Sequence, residues 1–413
     1  MESQTIVESK WTRVQLSAQD AEELVSIGRR LAGQSQFWGS GDEINDDRPR
    51  SVLDLRAVPG GQEVFARHFV GSIALNDVVL HVQPKIDRTH FAYLARLAEV
   101  GHRGLDLDVI AAPDETFLDV IANWFLSAAE ALLQNGVLRD YRLEREELGF
   151  VRGRIHPVST SRMLLRGRLA LDVEYEEFDF DSPLNRVLQA AAKAVSWSDV
   201  FAESTRRRAQ VVARQLPEVS ELQATDLFEP VLRHAASYGR AIPWARRILW
   251  SRGVFPEAST AKARTFLIPT PGLIESAIRN VLADGLGGQF IVERAGKTIG
   301  GSPGWTLTPD LLFTPVGASV PRSPSATGDV KYKIGKGILQ SDLYQAVTFA
   351  THFGTSRALV ISFSDMEDVN ELKLQVGSVT IETIHWRAVA TLEPISEMQR
   401  VISSVHDCLA SGR

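Results

Sequence analysis

Three polar residues in the last third of the 413-residue chain are candidates for chemistry: Asp310 of Pro309-Asp310, and the pair in Asp329-Val330-Lys331. On a strand, side chains at i and i+2 share a face. If 329–333 is extended, Asp329 and Lys331 point one way while Val330 and Tyr332 point the other. Asp310 belongs to the preceding strand candidate, 306–313, so a hairpin between the two would bring its carboxylate to that of Asp329. Two carboxylates brought together repel, and a divalent cation relieves the repulsion. Mg2+ suits such a pair, with Mn2+ as a substitute, because it takes one or two carboxylates and keeps water and phosphate oxygens as its other ligands. The main-chain carbonyl of Val330 is a further candidate ligand. A neighbouring ammonium then offsets charge building on phosphorus or orients the attacking water. These are the parts of a phosphodiesterase. Taken alone the motif is short, and ordinary strand-end charges would look the same.

The context adds to it. Upstream, Leu273, Ile274, Ala277, Ile278, Val281 and Leu282 predict an amphipathic helix over 272–282, with Glu275 at the margin of its apolar stripe. A surface glutamate near a helix N-terminus is also favourable to the macrodipole with no catalytic role. Downstream, 341–353 reads as a helix on which the Gln345 amide could support Lys331 or a DNA backbone. Strands are expected at 290–292, 306–313, 329–333, 358–363 and 379–386, a Pro/Ser/Gly loop at 314–328, and a closing helix at 395–409. The alternation predicts an α/β domain with a mixed sheet. Nearer the start, 64–70, 72–75 and 78–82 read as strands with a hairpin turn at Asn76-Asp77, and Pro84 of Gln83-Pro84-Lys85 ends that run. A helix is expected over 115–134 and an extended stretch over 148–175 carrying Arg152, Arg154, Arg162, Arg166 and Arg168. Ser182 and Pro183 then open a further helix. More helix follows at 203–215 and 231–249, and 253–271 reads as a boundary.

Length and composition set the limits. The chain is long enough for two or three domains. With 44% hydrophobic and 23% charged residues it is not disordered throughout. Its net charge of −6 excludes a surface that grips DNA everywhere, so any such grip is local or supplied by a partner. The single cysteine, Cys408, excludes an internal disulfide framework and a zinc ribbon, and fits a reducing cytoplasm. Residues 1–10 lack the apolar core of a signal peptide, and no run approaches the ~18–20 apolar residues of a membrane span. Gly335-Lys336-Gly337 lacks the spacing of a P-loop, so a nucleotide-driven motor must be another chain. His81 and His156 have no metal-binding companions, and no Gly-x-Ser-x-Gly element is present. The arginine series is flanked by acidic residues and reads equally as a salt-bridged face or a phosphate contact; Arg206-Arg207-Arg208 reads as solvated.

Helix with Glu275, Pro309-Asp310, Asp329-Val330-Lys331 and helix with Gln345, in that order, resemble the PD-(D/E)xK nucleases, with Asp where many relatives carry Glu before x-Lys. More specifically, the chain resembles the McrC family of nuclease subunits from McrBC-type modification-dependent restriction systems. The likeness covers most of the length. It runs through Phe69-Val70-Gly71, Val82-Gln83-Pro84-Lys85-Ile86, Val151-Arg152-Gly153-Arg154-Ile155, Asp181-Ser182-Pro183-Leu184-Asn185-Arg186, Thr308-Pro309-Asp310, Asp329-Val330-Lys331-Tyr332-Lys333 and Asp342-Leu343-Tyr344-Gln345. The resemblance implies an α+β and α/β multidomain chain. Residues 1–110 would form a β-rich domain that docks on an McrB-like AAA+ GTPase hexamer and stimulates it. Residues 111–260 would be largely helical with the Arg-rich extended segment. Residues 261–413 would be a restriction-endonuclease-like domain with a mixed central sheet. It also implies a Mg2+-dependent DNA endonuclease of a phage-defence complex: Asp310 and Asp329 would hold the metal with the Val330 carbonyl, Lys331 would position the water, Glu275 would complete the acidic cluster and Gln345 would steady it. The alternatives are a catalytically inactive adaptor that activates a partner NTPase, and a stand-alone repair-type nuclease.

Overall fold

The β-prone run at 69–83 folds into a hairpin on which the first part of the molecule is built. A computed structural model describes residues 2–32, 51–100, 116–251, 265–300, 306–317, 324–334 and 338–410. Gly335-Lys336-Gly337, residues 318–323 of the expected loop and residues 253–264 of the expected boundary lie outside the described residues. The chain divides into two compact units, Met1–Val120 with Thr265–Arg413, and Ile121–Arg264.

In the first unit Phe69–Ala74 and Val78–Gln83 pair antiparallel around the Asn76-Asp77 turn, where the Leu75 N–H donates to the Val78 carbonyl at 2.9 Å. Glu2–Val7 joins Val78–Gln83 in parallel, and Phe266–Pro269 joins Phe69–Ala74 antiparallel. Gly71 makes the second pairing possible. Its φ is +140°, and a Cβ there would lie 2.0 Å from the Phe266 carbonyl oxygen. A smaller sheet of Thr12–Val14, Gly61–Ala66 and Leu53–Val58 and the helix Ala18–Ala32 share one core with it, including Ile6, Leu24, Phe69, Leu80 and Leu267. Burying each such side chain stabilises the fold by roughly 1.5–3 kcal/mol.

The rest of this unit is a six-stranded mixed sheet in the order Phe290–Glu293, Leu311–Pro315, Ala326–Lys331, Arg357–Ser364, Val379–Arg387, Lys373–Val376. The first two neighbours of Ala326–Lys331 differ in direction: Leu311–Pro315 is antiparallel and Arg357–Ser364 parallel. The expected strand over 306–313 is in fact two. Thr306–Leu307 pairs with Lys297–Thr298 in a separate ribbon, and Leu311–Pro315 enters the main sheet. Pro309 has no N–H to give a ladder, so the chain leaves one sheet and enters the other around it. The helix Gln340–Phe353 lays Ala346 and Ala350 on Ala358, Val360 and Ile381; these small side chains let it approach closely, and Gly354 at φ +73° ends it. The strand Lys373–Val376 was not expected. The helix Arg88–Val100 packs on Thr270–Leu286, where the Asn280 amide donates to the Leu97 and Ala98 carbonyls at 3.0 and 3.2 Å.

The second unit packs the helices Pro183–Trp197, Glu203–Gln215 and Ile242–Ser251 together with residues 121–135 of the helix Phe117–Asn135. Ser182 caps the Pro183 helix as expected, accepting from Asn185 N. The Asp181–Arg186 motif is a structural knot. Arg186 forks onto Asp226 at 2.8 and 2.9 Å, while Asn185 donates to the Leu138 and Phe180 carbonyls and accepts from Tyr238 Oη at 2.6 Å. Asp140–Leu148, Leu171–Asp179 and Arg154–Ile155 form a three-stranded antiparallel sheet. Gly153, at φ +68°, lies so close to the Glu174 carbonyl oxygen that a Cβ would approach to 2.3 Å. The stretch expected to be extended over 148–175 instead contains the helix Pro157–Leu165. Pro157 sits at its first turn, where the missing N–H costs nothing. Residues 231–249, expected as one helix, form a 3-10 segment Arg233–Arg240 and then Ile242–Ser251. Among the described residues no helix is long and apolar enough to cross a membrane.

Candidate active site

Asp310, Asp329 and Lys331 meet where the middle strand leaves its antiparallel neighbour. The ladder between Leu311–Pro315 and Ala326–Lys331 stops at Leu311–Gly328, so the Val330 N–H is not spent on it. Asp310 Oδ2 accepts that N–H at 2.9 Å. Asp329 and Lys331, two residues apart on the strand, project to the same side as expected, and Lys331 Nζ lies 2.6 Å from Asp329 Oδ2. The same ammonium donates to Gln345 Oε1 at 2.7 Å from the helix Gln340–Phe353. All three groups are buried: Asp310 is 1% exposed, Asp329 2% and Lys331 5%.

Burial at this density carries an electrostatic cost. The Asp329 carboxyl is pushed up to about 7, first by desolvation and then by the charge of Asp310, against the pull of Lys331. Asp310 is raised too, by burial and then by Glu275, while contact with Asp329, the Val330 N–H and Lys331 hold it down. Ionised, both groups are acceptors only, so their contact becomes a hydrogen bond only when one holds a proton. Asp329 Oδ1 has no hydrogen-bond partner, and Oδ2 faces the Lys331 ammonium, itself shared with Gln345. Buried carboxylate oxygens without donors are rare because desolvating them is expensive.

Glu275 is buried on the helix Thr270–Leu286 and does not lie on the surface. Desolvation raises its carboxyl, and the charge of Asp329 adds to that, while Arg294, Arg279 and Lys331 oppose it. Among the described residues no three His, Cys, Asp or Glu side chains are grouped tightly enough to hold a metal together. Asp310 and Asp329 are the coupled carboxylates of the site, and Glu275 acts on them through its charge. One residue was missed at the sequence level. Arg279 donates to the Asp310 carbonyl at 3.0 Å and so fixes the turn that presents Asp310. Its spacing of four from Glu275 on one helix face was the available signal. A cavity of about 220 Å³ opens beside Lys331, lined also by Lys333, Asp342, Ser362, Phe363 and His385.

The other candidates resolve differently. Arg152 stacks on Tyr175 and pairs with Glu177 at 2.6 Å, and Arg168 pairs with Glu147. Arg154, Arg162 and Arg166 remain exposed. Arg206, Arg207 and Arg208 pair with Asp199, Glu203 and Glu130. His81 Nδ1 contacts Ser72 Oγ at 2.7 Å and His156 faces Glu174 at 3.4 Å.

The fold and this site define a mixed α/β multidomain protein with a buried carboxylate–lysine centre on the middle strand of a mixed sheet. The chain belongs to the family of McrBC 5-methylcytosine restriction system components, whose model matches residues 64–361. Its fold is similar to that of a chain in the refined half-complex from a tetradecameric assembly of Thermococcus gammatolerans McrB AAA+ hexamers with bound McrC. The TM-score is 0.64 at 17% identity, over 98% of this chain and 100% of that one. A chain of the Thermococcus gammatolerans McrBC complex gives 0.45 at 19% identity, over 69% and 88%. No curated protein matches.

Proposed function

We propose that this protein is the DNA-cutting subunit of an McrBC-type restriction complex, a metal-dependent endodeoxyribonuclease with a PD-(D/E)xK centre. The observation that carries the reading is the buried pair Asp310–Asp329 with Lys331 Nζ 2.6 Å from it. A hard divalent cation fits these residues: the donors are all oxygen, Asp329 Oδ1 has no hydrogen-bond partner, and the raised Asp329 carboxyl marks negative charge that Lys331 does not fully offset. Asp310, Asp329 and the Val330 carbonyl would hold Mg2+ or Mn2+, which supplies Lewis acidity at the phosphoryl oxygens. The chain's own groups do the rest. The Val330 N–H and Arg279 hold Asp310 in place, Gln345 steers the Lys331 ammonium, and Lys331 orients water in line with the scissile P–O bond and offsets the charge that develops there. A non-catalytic adaptor would gain nothing from keeping two buried acids side by side.

Family membership supports an AAA+ GTPase partner, on which this chain would dock and whose hydrolysis it would stimulate. In place of a docking surface within 1–110, we assign docking to the exposed apolar residues on and beside the three-stranded sheet and helix of the second unit. Tyr141 and Phe178 pair across the strands with their rings 4.8 Å apart and tilted by 39°, both exposed, and Leu165 and Leu169 are 88% and 90% exposed. The test is a cleavage assay on DNA with Mg2+ or EDTA, with and without the partner, beside GTP and ATP hydrolysis. Mg2+-dependent cutting that increases with partner and nucleotide is expected. Unchanged GTP hydrolysis and intact DNA under every condition would refute the assignment.

A further inference from the structure

We propose that Glu8 and Lys85 are positioning residues of the hydrolytic centre, a buried acid–base pair that sets the end of the catalytic strand against the start of the Glu275 helix. Four strand ends converge in the first unit. Glu8 follows Glu2–Val7, Lys85 follows Val78–Gln83, Thr270 follows Phe266–Pro269, and Tyr332 follows Ala326–Lys331. Glu8 is 1% exposed; its Oε1 accepts from the Thr270 hydroxyl and lies 3.9 Å from Lys85 Nζ. The Lys85 ammonium also sits over the Tyr332 ring, 3.9 Å from its centre. On its other sides Tyr332 meets Phe363 edge-on at 5.3 Å and Phe91 at 6.4 Å.

Each contact falls one step from the chemistry. Tyr332 is the residue after Lys331 and points to the opposite face, so clamping its ring fixes the twist with which Lys331 reaches Asp329. Thr270 is the first residue of the helix that carries Glu275 and Arg279, and it is held by the Glu8 carboxylate and by the His68 carbonyl at 2.9 Å. One carboxylate thus braces both elements that compose the site. Stability alone would be served as well by an apolar pair of similar size, because two desolvated charges repay their burial poorly. What a charged, directional pair adds is a fixed position. The lysine of Gln83-Pro84-Lys85 thereby gains a role inside this chain.

The inference rests on the hydrolytic reading, and its test separates the two. In the full chain with its AAA+ partner, Lys85→Met should lower kcat for DNA cleavage roughly 10- to 100-fold with KM for DNA unchanged, the size of effect that small misplacements of reacting groups produce. Lys85→Arg, which keeps the charge and the stacking, should recover most of the rate. Hydrogen exchange of the metal-free chain supplies a readout independent of cutting: Lys85→Met should speed exchange in 270–276 and 326–332 and leave the strands 12–14 and 53–66 alone. Where Lys85→Met fails to fold, Glu8→Gln, which keeps an acceptor for Thr270, takes its place. Unchanged rate and exchange, or exchange speeded uniformly with no rescue by Arg, would overturn the proposal. If the wild-type chain cuts nothing, the hydrolytic reading falls, while the exchange pattern still decides whether the pair braces these two segments.

Discussion

Replacing Asp329 by Asn should stabilise the metal-free protein at neutral pH, with the gain shrinking in acid. The Asp329 carboxyl rises from 3.8 to about 7, through burial first and the charge of Asp310 second. A group so raised holds its proton more tightly in the native state than in the unfolded one. Its contribution is therefore most favourable below 3.8, declines as pH climbs toward about 7, and levels off above that. At about 1.36 kcal/mol per pH unit the full span costs at most about 4 kcal/mol, and the part above pH 5 about 2.7 kcal/mol. Asn keeps the shape of the side chain and cannot ionise. The stability gap between Asp329→Asn and wild type should then widen by about 2.7 kcal/mol between pH 5 and pH 8. Urea-dependent hydrogen exchange in peptides covering Ala326–Lys331, with EDTA present, reads this unit without interference from the other. Mg2+ at about 100 times its dissociation constant should restore about 2.7 kcal/mol to the wild type and nothing to the variant. A gap that does not change with pH, together with equal responses to Mg2+, would refute the idea that this site holds negative charge only partly offset by Lys331.

Three further outcomes follow from particular contacts. Gly71→Ala should cost about 3 kcal/mol or prevent folding, because φ +140° and the Phe266 carbonyl 2.0 Å from the new Cβ leave it no room; thermal melts would show it. Arg186→Met should destabilise the second unit by roughly 3–5 kcal/mol, since it leaves the buried Asp226 carboxylate without its guanidinium, and denaturant melts with a probe in that unit measure the loss. Leu165→Asp with Leu169→Asp should leave stability within about 0.5 kcal/mol, as both side chains are exposed. The same pair should weaken stimulation of the partner's GTP hydrolysis at least tenfold, read as phosphate release.

What could be read along the chain was what depends on near neighbours. Period-2 alternation placed Asp329 and Lys331 on one face, and helical spacing located Glu203–Gln215 and Gln340–Phe353. Ser182-Pro183 announced its own cap. The site residues that depend on distant packing were harder. Glu275 looked like a surface residue because its burial comes from the sheet it lies against, and a stripe margin does not record that. Arg279 was missed because its partner is a backbone carbonyl, which carries no side-chain signature. The helix Pro157–Leu165 was hidden by its arginines and by Pro157, which reads as a breaker unless it falls at the first turn. The pairing of Phe266–Pro269 with Phe69–Ala74 joins segments far apart in sequence, and only Gly71, conspicuous for its missing side chain, hints at a strand passing close by.

The most direct measurement is single-turnover cleavage of DNA by the full chain with its AAA+ partner, GTP and Mg2+, comparing wild type with Asp329→Ala and Lys331→Ala. Loss of cutting by at least roughly 10²- to 10³-fold in each variant, with GTP hydrolysis still stimulated, is the expected result. Cutting at the wild-type rate by both variants would show that the phosphodiester bond is broken somewhere else.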